Sequence, residues 1–137
     1  MDTPTKIALT PEEQFLAENR REGEEYAGII LGKNGEKDYH LFLLPDIAKN
    51  VTWAQAKDFA RMCGGDLPTR REQSLLFANL KERFRPRFYW SGDALAFDSD
   101  PLDFDEIWMQ DFEQGHQFTC SVDTWSRARV VRRLEIL

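Results

Sequence analysis

The chain has 137 residues, a formal net charge of −6, 42% hydrophobic and 12% aromatic residues, and two cysteines. That length fits one globular domain able to bury a core without metals or cross-links, and no apolar run approaches the roughly 18–20 residues that span a bilayer. The acidic balance argues against phosphate-rich partners such as nucleic acid or anionic membrane, which are bound by positive fields.

In chain order, Thr10-Pro11-Glu12-Glu13, Thr52-Trp53-Ala54-Gln55 and Thr69-Arg70-Arg71-Glu72 each place Thr at an N-cap with Glu or Gln three residues on. This reciprocal capping pattern opens a helix. The predicted helices cover 11–21, 53–63 and 70–82. The first is charged and weakly amphipathic, anchored only by Phe15 and Leu16, and is expected on the surface or in a subunit contact. The second carries Trp53, Ala56, Phe59, Ala60 and Cys63 at helical spacing and stops at Gly64-Gly65. The third ends before Pro86. Between the first two, Tyr26–Leu31 and Tyr39–Leu44 are β-rich runs around Asn34-Gly35, a hairpin turn signal. After the third come strands at Phe88–Ser91, Ile107–Phe112, His116–Cys120 and Ala128–Leu134, with Glu113-Gln114-Gly115 turning the middle pair. The polar stretch from Ser91 to Glu106 is expected as a surface loop. The class is α+β, with residues 1–25 as a helical extension and 26–137 as the domain.

From Phe88 to Ser126 the chain runs 39 residues without Lys or Arg while carrying nine carboxylates. Lys81, Arg83, Arg85 and Arg87 precede this segment; Arg127, Arg129, Arg132 and Arg133 follow it. The arginines before it are expected to pair with the acidic segment. The same stretch holds Phe97, Phe104, Trp108, Phe112, Phe118 and Trp125, and an exposed aromatic, acidic face suits a partner with a basic surface.

Other chemical patterns fall short. Asp98, Asp100, Asp103, Asp105 and Glu106 supply oxygen ligands, but the EF-hand spacing fails because Leu102 and a missing Gly break it, so no metal is expected. Gly28-Ile-Ile-Leu-Gly32-Lys33 has three residues between its glycines instead of the four of a phosphate loop. Cys63 and Cys120, 57 residues apart and without a CxxC, are expected as buried free thiols. Ser91 lies outside a nucleophile elbow, and His40 reads as a structural residue of an apolar strand.

The ordered series Gly64-Gly-Asp-Leu-Pro-Thr-Arg70, Tyr89-Trp-Ser-Gly92, Trp108-Met-Gln-Asp-Phe-Glu-Gln-Gly115 and Arg127-Ala-Arg-Val-Val-Arg132 resembles the Lcl-type C-terminal domain of unknown function of bacteria and phages, a short variant of the C-type-lectin-like fold. The resemblance covers residues 26–134. It implies an N-terminal hairpin, two capped helices and a short-stranded antiparallel sheet closed by the last strand on the first hairpin. It puts the binding face on the long loop and adjoining strands, here Asp93, Phe97, Asp98, Asp100, Asp103, Phe104, Asp105, Gln110, His116 and Phe118, with Trp90 and Trp108 as structural residues. The calcium-site motifs of the lectins and the paired cysteines of formylglycine-generating enzymes are missing. The expectation is therefore a cytoplasmic, cofactor-free, non-enzymatic module that binds a protein with a basic surface, as a phage or prophage protein acting on a host factor would. A calcium-independent glycan-binding module is the alternative.

Overall fold

A computed structural model describes residues 8–95 and 106–137. All three capping boxes form. Helix α1, Pro11–Asn19, begins where Thr10 Oγ1 accepts the Glu13 N–H and the Glu13 carboxylate accepts the Thr10 N–H. Thr52 with Gln55 opens α2, Trp53–Met62, and Thr69 with Glu72 opens α3, Arg70–Leu80. Such a cap is worth about 1 kcal/mol. A single 3₁₀ turn, Lys81–Arg83, follows α3 and ends the helical run ahead of Pro86.

Strands β1, Glu25–Ile30, and β2, Tyr39–Val51, form the expected hairpin. Asn34 and Gly35 turn it with φ of 56° and 85°, left-handed values that these two residue types tolerate best. The remaining strands are β3, Phe88–Ala94; β4, Glu106–Asp111; β5, Gln117–Ser121; and β6, Ser126–Glu135. They complete one sheet of order β1-β2-β6-β3-β4-β5.

The last strand does close on the first hairpin, but in the middle of the sheet. β6 runs antiparallel to β2 from Tyr39↔Glu135 to Val51↔Ser126, and its other edge meets β3 in parallel at Tyr89↔Arg127. The sheet is therefore mixed and not antiparallel throughout, because a strand whose direction is fixed by β2 meets β3 heading the same way. Nor are all strands short: β2 has 13 residues and β6 has 10. The stretch read as a loop from Ser91 onward is strand as far as Ala94, which pairs with Ile107.

Helices α2 and α3 cover opposite faces. Ala56 and Ala60 of α2 pack with Trp90, Ile107, Met109 and Val130, whereas Leu76 and Leu80 of α3 pack with Leu41, Leu43, Tyr89 and Val131. Burying each large apolar side chain contributes about 1.5–3 kcal/mol, and close approach matters as much as bulk. A Cβ on Gly65 would stand 2.4 Å from the Val131 carbonyl oxygen, so only Gly lets the end of α2 meet β6. The surface helix α1 buries no residue fully, yet Phe15 packs tilted against His40 at 4.1 Å between ring centroids and leans on Tyr26 and Phe42. His40 is satisfied by the Tyr26 hydroxyl at Nδ1, 2.8 Å away.

Four of the arginines bordering the acidic segment bind groups earlier in the chain. Arg83 pairs with Glu25 at 3.1 Å, Arg132 grips the buried Glu24 at 2.6 and 2.8 Å, and Arg133 grips the buried Glu72. Arg129 is itself buried and donates to the carbonyls of Leu44 and Arg83. Among the described residues Arg83 thus pairs with β1 and with no carboxylate of the acidic segment.

Candidate functional site

A bulge in β3 builds the site. Between the pairs Trp90↔Met109 and Ala94↔Ile107, β3 has three residues where β4 has one. Ser91 holds this bulge: its hydroxyl donates to the Trp108 carbonyl at 2.6 Å and accepts the Asp93 N–H at 3.0 Å. The displaced strand brings the Asp93 carboxylate to the start of α3, where it accepts the Arg70 N–H at 2.8 Å. A carboxylate there satisfies a backbone donor the helix leaves open and complements its positive end.

Arg70 is then fixed from three sides. Its guanidinium carbon stands 3.5 Å from the centroid of the Trp108 ring, its Nε donates to Gln117 Oε1 at 3.0 Å, and its carbonyl accepts from Gln117 Nε2 at 2.9 Å. An arginine over a tryptophan face is attracted by the ring quadrupole. Gln117 also donates to Gln110 Oε1 at 2.8 Å, Gln110 donates to the Gln73 carbonyl, and Gln73 donates to the carbonyls of Tyr89 and Trp90. This chain of amides ties β3, β4 and β5 to α3. An open groove of about 530 Å³ runs alongside, lined by Tyr39, Arg70, Arg71, Ser74, Asp93 and Gln117 among others.

Below the groove Glu72 is wholly buried. Burial pushes its carboxyl up, but the hydrogen bonds from Arg133, Tyr39 and the Thr69 N–H outweigh this and hold it below the usual carboxylate range. The Tyr39 phenol, half-buried and donating to that carboxylate at 2.6 Å, is pushed up to about 12. This network ties Tyr39, which lines the groove, to α3 and β6.

The expected site residues separate on inspection. Asp93 is at the groove. Gln110 is 1% exposed and belongs to the interior amide chain, so it supports the site and does not touch a partner. His116 is exposed at the β4–β5 turn. Phe118 is half-buried on the opposite face, edge-on to Phe88 at 4.9 Å, so it leaves the Asp93 face altogether. Phe97, Asp98, Asp100, Asp103, Phe104 and Asp105 lie outside the described residues. Trp90 is fully buried and donates to the Val51 carbonyl; Trp108 is half-buried beneath Arg70.

Arg70 and Gln117 were not among the expected site residues. Arg70 closes the Leu-Pro-Thr-Arg motif, a signal present in the sequence, whereas Gln117 stands opposite Gln110 in the β4–β5 ladder, a signal visible only once that register is known. The thiols are half-buried, not buried. Cys63 is pushed up by burial and by Asp46, Cys120 by burial and by Glu106, so both favour the protonated form. Among the described residues no group of three or more His, Cys, Asp or Glu side chains is placed to hold a metal ion, and no helix is long and apolar enough to cross a membrane.

No protein-family model and no curated protein matches this chain.

Proposed function

We propose that this protein is a non-enzymatic binding module, a short C-type-lectin-like domain that recognises a protein partner of basic surface at the end of the sheet where β3 leaves and β4 returns. The observation that carries the reading is the closure of that end. Leu95 N–H donates to the Glu106 carbonyl at 2.9 Å and Ala94 pairs with Ile107, so Leu95 and Glu106 lie side by side on the sheet with ten residues, 96–105, between them in sequence. Those ten residues carry four aspartates and two phenylalanines and no cation. Their attachment points adjoin Asp93, Arg70 and Trp108, which are locked by the contacts above. A rigid scaffold that presents a chemically distinctive segment is the usual design of a recognition site.

The fold assignment draws support from the insertion of β6 between β2 and β3 and from two helices on opposite faces of the sheet. Carboxylates around apolar anchors favour a cationic protein surface, where charge sets association rate and buried rings set residence time. The test is surface plasmon resonance against a captured partner. Phe104→Ala is expected to speed dissociation, and Asp100→Lys with Asp103→Lys to slow association in a salt-dependent way. Retention on glycan arrays with no stoichiometric protein partner would overturn the reading in favour of a glycan module.

A further inference from the structure

The two edges of the sheet are treated differently. Edge strands expose unpaired backbone groups, and folded proteins blunt them with bulges, charges, proline or a covering element. β1 is blunted in several ways: it carries a bulge between Tyr26 and Gly28, Asn79 of α3 donates to the Ala27 carbonyl at 2.6 Å, and Arg71 donates to the Leu31 carbonyl just beyond it at 3.0 Å. β5 has none of these devices. Its sequence, Gln117-Phe-Thr-Cys-Ser121, contains no charge and no proline, its register with β4 is unbroken, and among the described residues no further strand pairs with it.

The ladder fixes which groups are open. Asp111 N–H donates to the His116 carbonyl at 2.9 Å, which makes 111 and 116 a hydrogen-bonded pair. Alternation then makes 109 with 118 and 107 with 120 the next such pairs and turns the backbone N–H and C=O groups of Gln117 and Thr119 outward. Carboxylates flank this edge at both ends: Asp111 and Glu113 at the β4–β5 turn, Glu106 and Asp123 at the other. On one face Phe118 with the half-exposed Phe88 offers an apolar step for alternate side chains of an added strand.

We propose that β5 is a strand-addition site, completed by an extended segment of the partner that carries alternating apolar and cationic residues. The inference rests on the basic-partner reading and adds the mode of contact, main-chain pairing with Gln117 and Thr119. A second copy of this chain fits less well. Antiparallel pairing of two β5 strands would bring the Asp123 end of one against the Glu113 end of the other, like charge against like.

The experiment titrates the full chain with an eight-residue peptide alternating lysine and valine, followed by amide NMR shifts and calorimetry. The expected result is binding with the largest shifts at Gln117 and Thr119, and affinity at least about tenfold weaker for the same peptide N-methylated on alternate amides, which removes the paired donors. Thr119→Pro, whose lost N–H faces away from β4, is expected to abolish binding; the methylated peptide gives the same readout should that variant not fold. Equal binding of the methylated peptide would overturn strand addition while leaving a basic partner at the acidic face intact. Equal binding of a glutamate–valine peptide would overturn the charge argument and the basic-partner reading together. Absence of binding at millimolar peptide, or a dimer of the chain alone that Thr119→Pro dissociates, would also overturn the proposal.

Discussion

Glu72 and Arg133 meet in a two-point contact, Nε to Oε2 at 2.6 Å and Nη2 to Oε1 at 2.8 Å, with the carboxylate wholly buried and the guanidinium side chain 30% exposed. They are 61 residues apart, and the pair ties the first turn of α3 to the far end of β6. The asymmetry of exposure makes the two deletions unequal. Arg133→Met strands a buried charge and is expected to destabilise by about 3–5 kcal/mol. Glu72→Gln leaves an arginine that still reaches water and Asp66, and is expected to cost less. Urea unfolding of both variants checks the order; equal losses would contradict it.

Glu72, Glu24 and Tyr39 set a pH window. Glu72 and Glu24 are both held below their ordinary value of 4.5, each against the opposing effect of burial, chiefly by the arginine that grips it. Their contribution is present above the unfolded value and is lost as pH falls through the folded one, because the unfolded chain then binds more protons. Tyr39 is raised from 10.0 to about 12, so its contribution is complete below 10 and fades toward 12. Stability from these groups is therefore expected to plateau between about pH 5 and 10. Thermal melts across that range test the plateau, and Tyr39→Phe should flatten the alkaline side.

Much of this architecture was legible. Three Thr caps with Glu or Gln at N3 located three helices, and Asn34-Gly35 located the hairpin, because these signals act over three or four residues. The β3 bulge was hidden: Ser91-Gly92-Asp93 has loop composition and becomes strand only because Ser91 bonds across to Trp108. The parallel meeting of β3 and β6 and the pairings of Arg132 with Glu24, 108 residues away, and of Arg133 with Glu72 are long-range choices that no local pattern encodes. Phe118 was expected on the acidic face because the resemblance put the binding face on the strands adjoining the long loop, and the period of two in a strand put it on the other.

The central place of β6 makes a sharp truncation test. Removing the chain from Arg127 onward deletes the partner of both β2 and β3. Cooperative unfolding by circular dichroism is expected to vanish. A truncated chain that melted cooperatively with native spectra would contradict the topology.

Arg70 over Trp108 provides an optical readout. Arg70→Ala removes the stacked cation and the Nε bond to Gln117, and is expected to lower stability by about 1–2 kcal/mol while changing tryptophan emission. Unchanged emission would mean that the ring is not covered in solution.

Millimolar Ca²⁺ is expected to leave the melting temperature unchanged. A ligand bound only by the folded state at about 100 times its Kd would add about 2.7 kcal/mol. A chelator-reversible rise in melting temperature would contradict this and show that the folded chain binds calcium.

The most direct measurement of the central claim is quantitative capture of a partner by three forms of the chain: wild type, one with Asp98, Asp100, Asp103 and Asp105 changed to Asn, and one with Phe15 and Leu16 changed to Ser on α1. The account predicts stoichiometric capture of a basic protein by wild type and by the α1 variant, and loss of that capture by the aspartate variant. Capture that survives in the aspartate variant and disappears in the α1 variant would contradict it and move the binding surface to the N-terminal helix.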